Sequence, residues 1–91
     1  MTKTIKLTVP FEWEGRKINE LTVRRPKVRD IRETEADPDK ADIDRGILMT
    51  ALLTDLPPEA IEEMDAADFM SVSEVVQGFL PGPQSPEAGG S

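Results

Sequence analysis

The chain has 91 residues, a net charge of −7, and no Cys, His or Tyr. Without Cys there is no disulfide framework and no thiolate chemistry, and without His the most common general base and metal ligand are missing. Ile, Leu, Val and Phe account for 22 of the 91 residues. This share, about 24 %, exceeds the roughly 20 % below which charged chains stay disordered. We therefore expect one small domain with a thin core.

The N-terminal stretch does not resemble a secretion signal. It reads MTKTIKLTVPFEWE, and its apolar residues alternate with polar ones instead of forming a continuous apolar run. No run in the chain approaches the roughly 18 apolar residues of a membrane-spanning helix. These features predict a soluble, intracellular protein without membrane contacts.

Charge is distributed unevenly along the chain. Residues 1–32 hold nine Lys or Arg and four Asp or Glu, whereas residues 33–91 hold two and fourteen, respectively. The first segment thus carries +5 and the second −12. Such a split favours self-association or a charged partner, unless the two signs only mark two differently solvated faces.

A two-residue period near the N-terminus predicts a strand with one buried face. Its apolar residues occupy odd-numbered positions, and mostly polar residues lie between them. Pro10 falls on the polar face near the strand end, where a residue without an N–H fits an edge strand or a bulge. The apolar residues of this pattern are Ile5, Leu7, Val9, Phe11 and Trp13.

A second strand is predicted by the segment RKINELTV. Ile18 is out of phase with Leu21 and Val23, so we expect a β-bulge near Asn19 and Glu20. Together the two strands predict a hairpin with a broad loop. The predicted pairing is Thr4–Val9 with Ile18–Val23.

Two helices are predicted after the hairpin. Pro26 ends the second strand because it lacks the N–H that a ladder needs. Helical spacing then predicts a first helix over Lys27–Glu35. Asp37 and Pro38 predict the start of a second helix, as cap and first helical residue, which an apolar stripe extends to about Thr54. The stripe consists of Ile43, Ile47 and Ala51 together with Leu48 and Leu52.

Two shorter signals complete the predicted helices. A Leu-Pro-Pro turn precedes a short third helix over Pro58–Met64. Asp65 is the predicted cap of a last helix, with Asp68 three residues on in a capping-box arrangement. Pro81 ends this helix, and residues 81–91 contain no core-forming residue, which predicts a disordered tail. The apolar stripe of the last helix is Phe69, Val72, Val76 and Phe79.

The predicted fold is therefore an α+β domain over residues 1–80. It consists of an N-terminal β-hairpin followed by three or four short α-helices, and residues 81–91 lie outside it.

Acidic residues cluster in the segment DPDKADIDRG, but this segment does not match an EF-hand calcium loop. Counted from Asp37, such a loop needs an oxygen ligand, Gly and Glu at its fifth, sixth and twelfth positions. Those positions hold Ala41, Asp42 and Leu48. The two Ser residues of the last helix have no His to activate them, and no phosphate-binding motif is present. We expect no catalytic residue, no metal site and no cofactor.

Residues 24–32 form a basic segment in an otherwise acidic chain. Its cations suit contacts with nucleic-acid phosphates, but few aromatic residues accompany them for base stacking, and the acidic remainder repels a phosphate backbone. We interpret the segment first as a strand-to-helix corner and second as a protein-contact surface. A nucleic-acid-binding or regulatory module that uses this segment is the alternative function. The cations are Arg24, Arg25, Lys27, Arg29 and Arg32.

Six residues are candidates for contact with a partner protein. The arginines of the basic segment offer charge, a Trp offers apolar area, and Met side chains adapt to partners of varied sequence. The candidates are Trp13, Arg24, Arg25, Arg29, Met49 and Met70.

Two stretches resemble the small tail assembly chaperones of Mu-like and related long-tailed phages. The first, residues 14–31, reads EGRKINELTVRRPKVRDI and is similar to their turn, strand and Arg-Pro corner. The second, residues 52–80, reads LLTDLPPEAIEEMDAADFMSVSEVVQGFL. It is similar to their Leu-Thr pair, Leu-Pro turn, short acidic helix, Asp-Ala-x-Asp cap and last helix ending in Gly-Phe-Leu. The resemblance covers residues 4–80, and Asp55 stands where Gly or another small turn residue is expected.

The resemblance implies a non-catalytic protein. Members of this family bind the tape-measure protein, a long helical chain, and keep it soluble while tail-tube subunits assemble around it. The implied location is the cytoplasm of the bacterial host, with the chaperone absent from the mature virion. The tail-tube protein and a second copy of the chain are further candidate partners, whereas nucleic acid and membranes are not expected.

Overall fold

The structure, a computed structural model, describes residues 2–79 and places a β-hairpin ahead of four α-helices. This arrangement confirms the predicted α+β class and the order of elements. The predicted tail, residues 81–91, lies outside the described residues. The strands are β1, Thr2–Trp13, and β2, Arg16–Arg24, and the helices are α1, Val28–Thr34, α2, Asp42–Thr54, α3, Pro58–Ile61, and α4, Ala66–Phe79.

The hairpin is longer and its turn tighter than the sequence predicted. Trp13 pairs with Arg16, so only Glu14 and Gly15 form the connection. Both have positive φ, 51° and 79°, as do the central residues of the type I′ turns whose twist matches that of paired strands. The prediction of a broad loop was wrong because pairing resumes beyond Pro10 and continues to the turn.

The ladder is interrupted in the middle of the hairpin. Pairing stops after Lys6 and Glu20 and resumes at Phe11 and Ile18, so four residues of β1 lie opposite Asn19. The predicted bulge is therefore present at this level, but its extra residues belong to β1 and not to β2. One of the four is a proline, which cannot donate to a ladder.

Helix α2 starts at Asp42, later than predicted. The Asp37 carboxylate accepts the Asp39 N–H at 3.0 Å, and the Lys40 N–H donates to the Asp37 carbonyl at 3.2 Å. Asp37 therefore begins a turn and not a helix, because its side chain bonds to the backbone two residues on. The N-cap residue of α2 is Ala41.

The end of α2 depends on a residue in the left-handed region. Asp55 has φ 60° and ψ 31°, and its N–H donates to the Ala51 carbonyl. The same carbonyl accepts the Leu56 N–H at 3.1 Å. Helices commonly end in this way, but the left-handed residue is usually Gly. Asp55 is therefore a turn residue, as the sequence resemblance implied, and it stands where Gly is usual.

Helix α3 ends at Ile61 and is shorter than predicted. The Met64 N–H donates to the Ile61 carbonyl at 3.1 Å in a separate turn. Helix α4 begins where it was predicted, because the Asp65 carboxylate accepts the N–H groups of Ala67 and Asp68 at 3.1 and 3.3 Å. These bonds satisfy two of the donors that the first helical turn leaves free.

The core lies where the hairpin, α2 and α4 meet. Val23 of β2, Leu53 of α2 and Val72 of α4 are each at most 1 % exposed. The two central residues of the predicted α4 stripe are buried, whereas its end residues, Phe69 and Phe79, are half-buried at the edge of the core. These two side chains therefore keep part of their apolar surface exposed at the edge of the core.

Candidate protein-interaction surfaces

The basic segment is organised around one ion pair, the Arg24–Asp30 corner. Arg24 ends β2 and donates from its two terminal nitrogens to the two carboxylate oxygens of Asp30, at 2.8 and 2.9 Å. Asp30 is 3 % exposed. The planar guanidinium matches a carboxylate in this bidentate geometry, so the pair fixes the angle between β2 and α1.

The corner also contacts the backbone on both sides. The Lys27 N–H donates to Asp30 at 2.7 Å, and Arg24 donates to the carbonyl of Leu52 in α2 at 3.2 Å. The hydrogen bonds from Arg24, with that from the Lys27 backbone, lower the pKa of Asp30 to about 2. The same pairing raises the pKa of Arg24. These contacts join β2, α1 and α2 and support the interpretation of the basic segment as a structural corner.

The other cations of the basic segment lie outside this pair. The Arg25 guanidinium carbon lies 5.7 Å from the centroid of the Phe79 ring, a cation–π geometry that connects the corner to the end of α4. Lys27, Arg29 and Arg32 are exposed. Arg24 and Arg25 therefore make contacts within the fold, which leaves less of the positive charge of the segment available to a partner.

Asp68 forms a second buried polar junction, between β1 and α4. One carboxylate oxygen accepts the Thr8 N–H at 3.0 Å and the Thr8 hydroxyl at 2.8 Å, and the other accepts the Val9 N–H at 2.9 Å. Asp68 is 4 % exposed, and the bonds from Val9 and Thr8 lower its pKa. The carboxylate thereby satisfies backbone donors in the interrupted part of β1. The sequence had assigned Asp68 only a role in capping α4.

The six candidate partner-contact residues do not share one surface. Trp13 is half-buried beside the hairpin turn, about 26 Å along the strands from Arg24 at a rise of ~3.3 Å per residue. Met49 is 6 % exposed and packs in the core, whereas Met70 of α4 is 62 % exposed. Arg25 and Arg29 lie in the same basic segment as Arg24. Contact of any of the six with a partner stays a prediction.

An open groove of about 450 Å³ lies between α2, α3 and the start of α4. Two apolar residues one turn apart on α2 line it together with Phe69 of α4. Gly46 of α2 lies beside Phe69, and a Cβ added at Gly46 would be in ordinary contact with the tip of the ring, at 3.8 Å. We call this the α2–α4 groove. Its apolar lining consists of Ile43, Ile47, Ile61, Met64, Ala66 and Phe69.

The α2–α4 groove combines exposed apolar area with negative charge. Ile43 is 58 % exposed although it belongs to the apolar stripe of α2. Asp44 and Glu62 also line the groove, and both are exposed. No Lys or Arg is among the described lining residues.

The helices around the groove extend this negative charge. Residues 42–79 contain nine Asp or Glu and one basic residue, Arg45. Arg45 donates to the Asp42 carboxylate at 3.3 Å and to the Pro38 carbonyl at 3.2 Å. Its charge is thus partly compensated within its own helix start.

Sequence reasoning missed this groove. The spacing of Ile43 and Ile47, and that of Phe69 on α4, identified apolar helix faces and favoured a place in the core. Periodicity shows that a face is apolar, but the packing of other elements decides whether anything covers it. The groove therefore emerges only when α3 and α4 are placed against α2.

Within residues 2–79, acidic side chains form no cluster of three or more suited to a metal ion. None of the helices in that range combines the length and the apolar character needed to cross a membrane.

The fold and its surfaces define a small α+β domain with apolar and charged area exposed on its helices. A family model described as "Phage tail assembly chaperone proteins, E, or 41 or 14" matches residues 4–81. The chain belongs to this family of phage tail assembly chaperones. No curated protein and no solved structure matches it.

Proposed function

We propose that this protein binds the tape-measure protein of a phage tail and keeps it soluble while tail-tube subunits assemble around it. The observation that carries the proposal is the family match over residues 4–81. The protein acts in this role by reversible contact and catalyses no reaction.

Exposed apolar side chains support a role in holding another chain. Ile43 of α2 and Met70 of α4 are each more than half exposed. Such residues can cover apolar stripes of a long helical client that would otherwise associate with one another. Because the client must later be released, we expect the contacts with it to be of modest area.

The net charge of −7 supports the same role. A complex between an aggregation-prone client and a strongly charged chaperone stays in solution because like-charged complexes repel one another. We infer that the protein works in the host cytoplasm and is absent from the mature virion. The tail-tube protein and a second copy of the chain are further candidate partners.

Co-expression with the tape-measure protein of the same phage tests the proposal. We expect the tape-measure protein to move from the pellet to the soluble fraction and to co-purify with this protein. The control is expression of the tape-measure protein alone. A tape-measure protein that is equally soluble and unbound in both cases contradicts the proposal.

The alternative function, nucleic-acid binding through the basic segment, gains little from the structure. Arg24 is used in the ion pair with Asp30, and Arg25 lies over Phe79. We expect no salt-dependent binding of duplex or single-stranded DNA in titrations at two salt concentrations. An affinity that falls steeply between the two concentrations would favour the alternative.

A further inference from the structure

We propose that the α2–α4 groove is the docking site for an amphipathic helix of the client that carries apolar side chains flanked by Lys or Arg. This inference rests on the proposed function, because it assigns the face of the chaperone that holds the client. It also states the chemistry of the segment that is held.

The shape of the groove fits apolar side chains of a helix. Ile43 and Ile47 are one helical turn apart, and Phe69 lies across from them on α4. Apolar residues three or four positions apart on a client helix project from one face with a similar spacing. They can therefore enter the groove together, as in other complexes in which a helix lies in an apolar groove.

The charge of the groove selects the flanking residues of that helix. Asp44 lies on the α2 side and Glu62 on the α3 side of the opening, and both are exposed. A client helix with Lys or Arg beside its apolar stripe meets opposite charge on both sides, whereas an acidic helix is repelled. A groove of this chemistry thus discriminates between helices of equal apolar content.

Other occupants from this chain fit less well. Residues 80–91 contain a single large apolar residue, Leu80, and no Lys or Arg. A second copy could offer α1, where Val28 is 74 % exposed beside Arg29. That helix has only seven residues, about two turns, so it offers a shorter apolar stripe than a long helical client. Self-association is therefore a separate outcome of the test.

Two designed peptides of equal length probe the groove directly. Both carry Leu at helical spacing, and the remaining positions are Lys in one peptide and Glu in the other. We expect the full chain to bind the fluorescently labelled Leu/Lys peptide at least ~10-fold more tightly than the Leu/Glu peptide in anisotropy titrations. Equal binding of the two peptides would overturn the charge argument.

Matched variants of the chaperone locate the binding site. Ile43→Asn removes exposed apolar area from the groove, and Val28→Asn makes the same kind of change on α1. We expect the first to weaken binding of the Leu/Lys peptide about 10-fold and the second by less than about 2-fold. Equal effects of the two variants, or no effect of either, would overturn the assignment.

A second pair of variants tests the charge of the groove. The two variants have the same net charge, so a difference between them reports the position of the charge. Glu62→Lys alters a residue that lines the groove, whereas Glu63→Lys alters its exposed neighbour, which does not line it. We expect only Glu62→Lys to weaken binding strongly, by about 10-fold against less than about 3-fold for its neighbour. Equal weakening would show general electrostatic attraction and would overturn the docking site.

Self-association and client binding are distinguished by sedimentation of the free protein. A dimer that Ile43→Asn abolishes, together with no binding of either peptide, would show that a second copy occupies the groove and would overturn the proposal.

The tape-measure protein is then tested with the same variants. If it binds wild type and Ile43→Asn equally, the groove assignment fails and the proposed function stands. If only the Leu/Lys peptide binds, through the groove, the proposed function fails and the groove chemistry stands.

Discussion

The Arg24–Asp30 corner and the α2–α4 groove use charged residues in opposite ways. At the corner, a carboxylate that is 3 % exposed receives two hydrogen bonds from a guanidinium and one from the backbone. In the groove, Asp44 and Glu62 are exposed beside an isoleucine that is itself 58 % exposed. The corner therefore holds the fold together, while the groove leaves charge and apolar area available.

The difference shows why a charge pattern alone does not identify a binding surface. The most basic part of the sequence directs its most buried arginine inwards, to join β2, α1 and α2. The acidic helices keep most of their charge on the outside. Variants that change the stability of the corner and the binding in the groove separately test this difference.

The largest effect is expected from Arg24→Met. This change leaves Asp30 buried without its guanidinium partner, and we expect a loss of about 3 kcal/mol in the free energy of unfolding. Urea denaturation at pH 7 measures it, with Arg29→Met as the control on the exposed side of the same segment. Similar losses for the two variants would contradict a structural role for the corner.

Acid should weaken the same corner. The pKa of Asp30 is lowered from 3.8 to about 2 in the folded protein, so the unfolded chain binds more protons between these values. The stabilisation, about 2 kcal/mol, is therefore complete above the unfolded pKa and is lost as the pH falls through the folded pKa. We expect denaturation series from pH 6 to pH 2 to show a flatter pH dependence for Asp30→Asn than for wild type. Parallel curves would show that Asp30 is not responsible.

Asp68→Asn should destabilise the junction between β1 and α4. The amide keeps one acceptor oxygen but turns an NH₂ group towards one of the two backbone N–H donors that the carboxylate satisfied. We expect a smaller loss than for Arg24→Met but a clear fall in the urea midpoint. Glu74→Gln, an exposed change on the same helix, is the control and should leave the midpoint unchanged. Hydrogen exchange should locate the effect at the N–H groups of Thr8 and Val9, and unchanged protection there would contradict the junction.

Asp55→Gly should stabilise the protein slightly. Gly adopts the left-handed conformation at this helix end without strain, and we expect a gain of about 0.5 kcal/mol in the free energy of unfolding. The gain is small because the Asp55 charge also favours the charged form of Arg24. Thermal unfolding measures it against Asp55→Val, which should be less stable than wild type. The opposite order would mean that the side chain outweighs the backbone conformation.

The smallest effect on stability is expected for Ile43→Asn. Its side chain is more exposed than buried, so the free energy of unfolding should change by less than about 0.5 kcal/mol. The same variant is expected to lose peptide binding, which separates the groove from the corner. A large loss of stability would show that Ile43 belongs to the core.

Local sequence signals predicted much of the fold because they depend on neighbouring residues. The alternation around Ile5 and Phe11 identified β1, and Asp65 marked the start of α4 through bonds to residues two and three positions on. The same local reasoning failed at Asp37, where the side chain formed a turn before the helix could start. It also placed the bulge on β2, because the phase of Ile18 reports a mismatch between strands but not which strand holds the extra residues.

The amino-acid sequence alone predicted the α+β class, the order of the elements and the two-residue period of the hairpin, and it excluded Cys and His chemistry. It determined these because periodicity, turn residues and composition act over short distances or over the whole chain. Three features follow from tertiary packing and from no sequence pattern: Asp68 joins β1 from 59 and 60 residues away, Met49 is buried, and Ile43 lies in an open groove. Hydrogen bonding and burial at these positions depend on which distant elements pack together, and no local pattern encodes that choice.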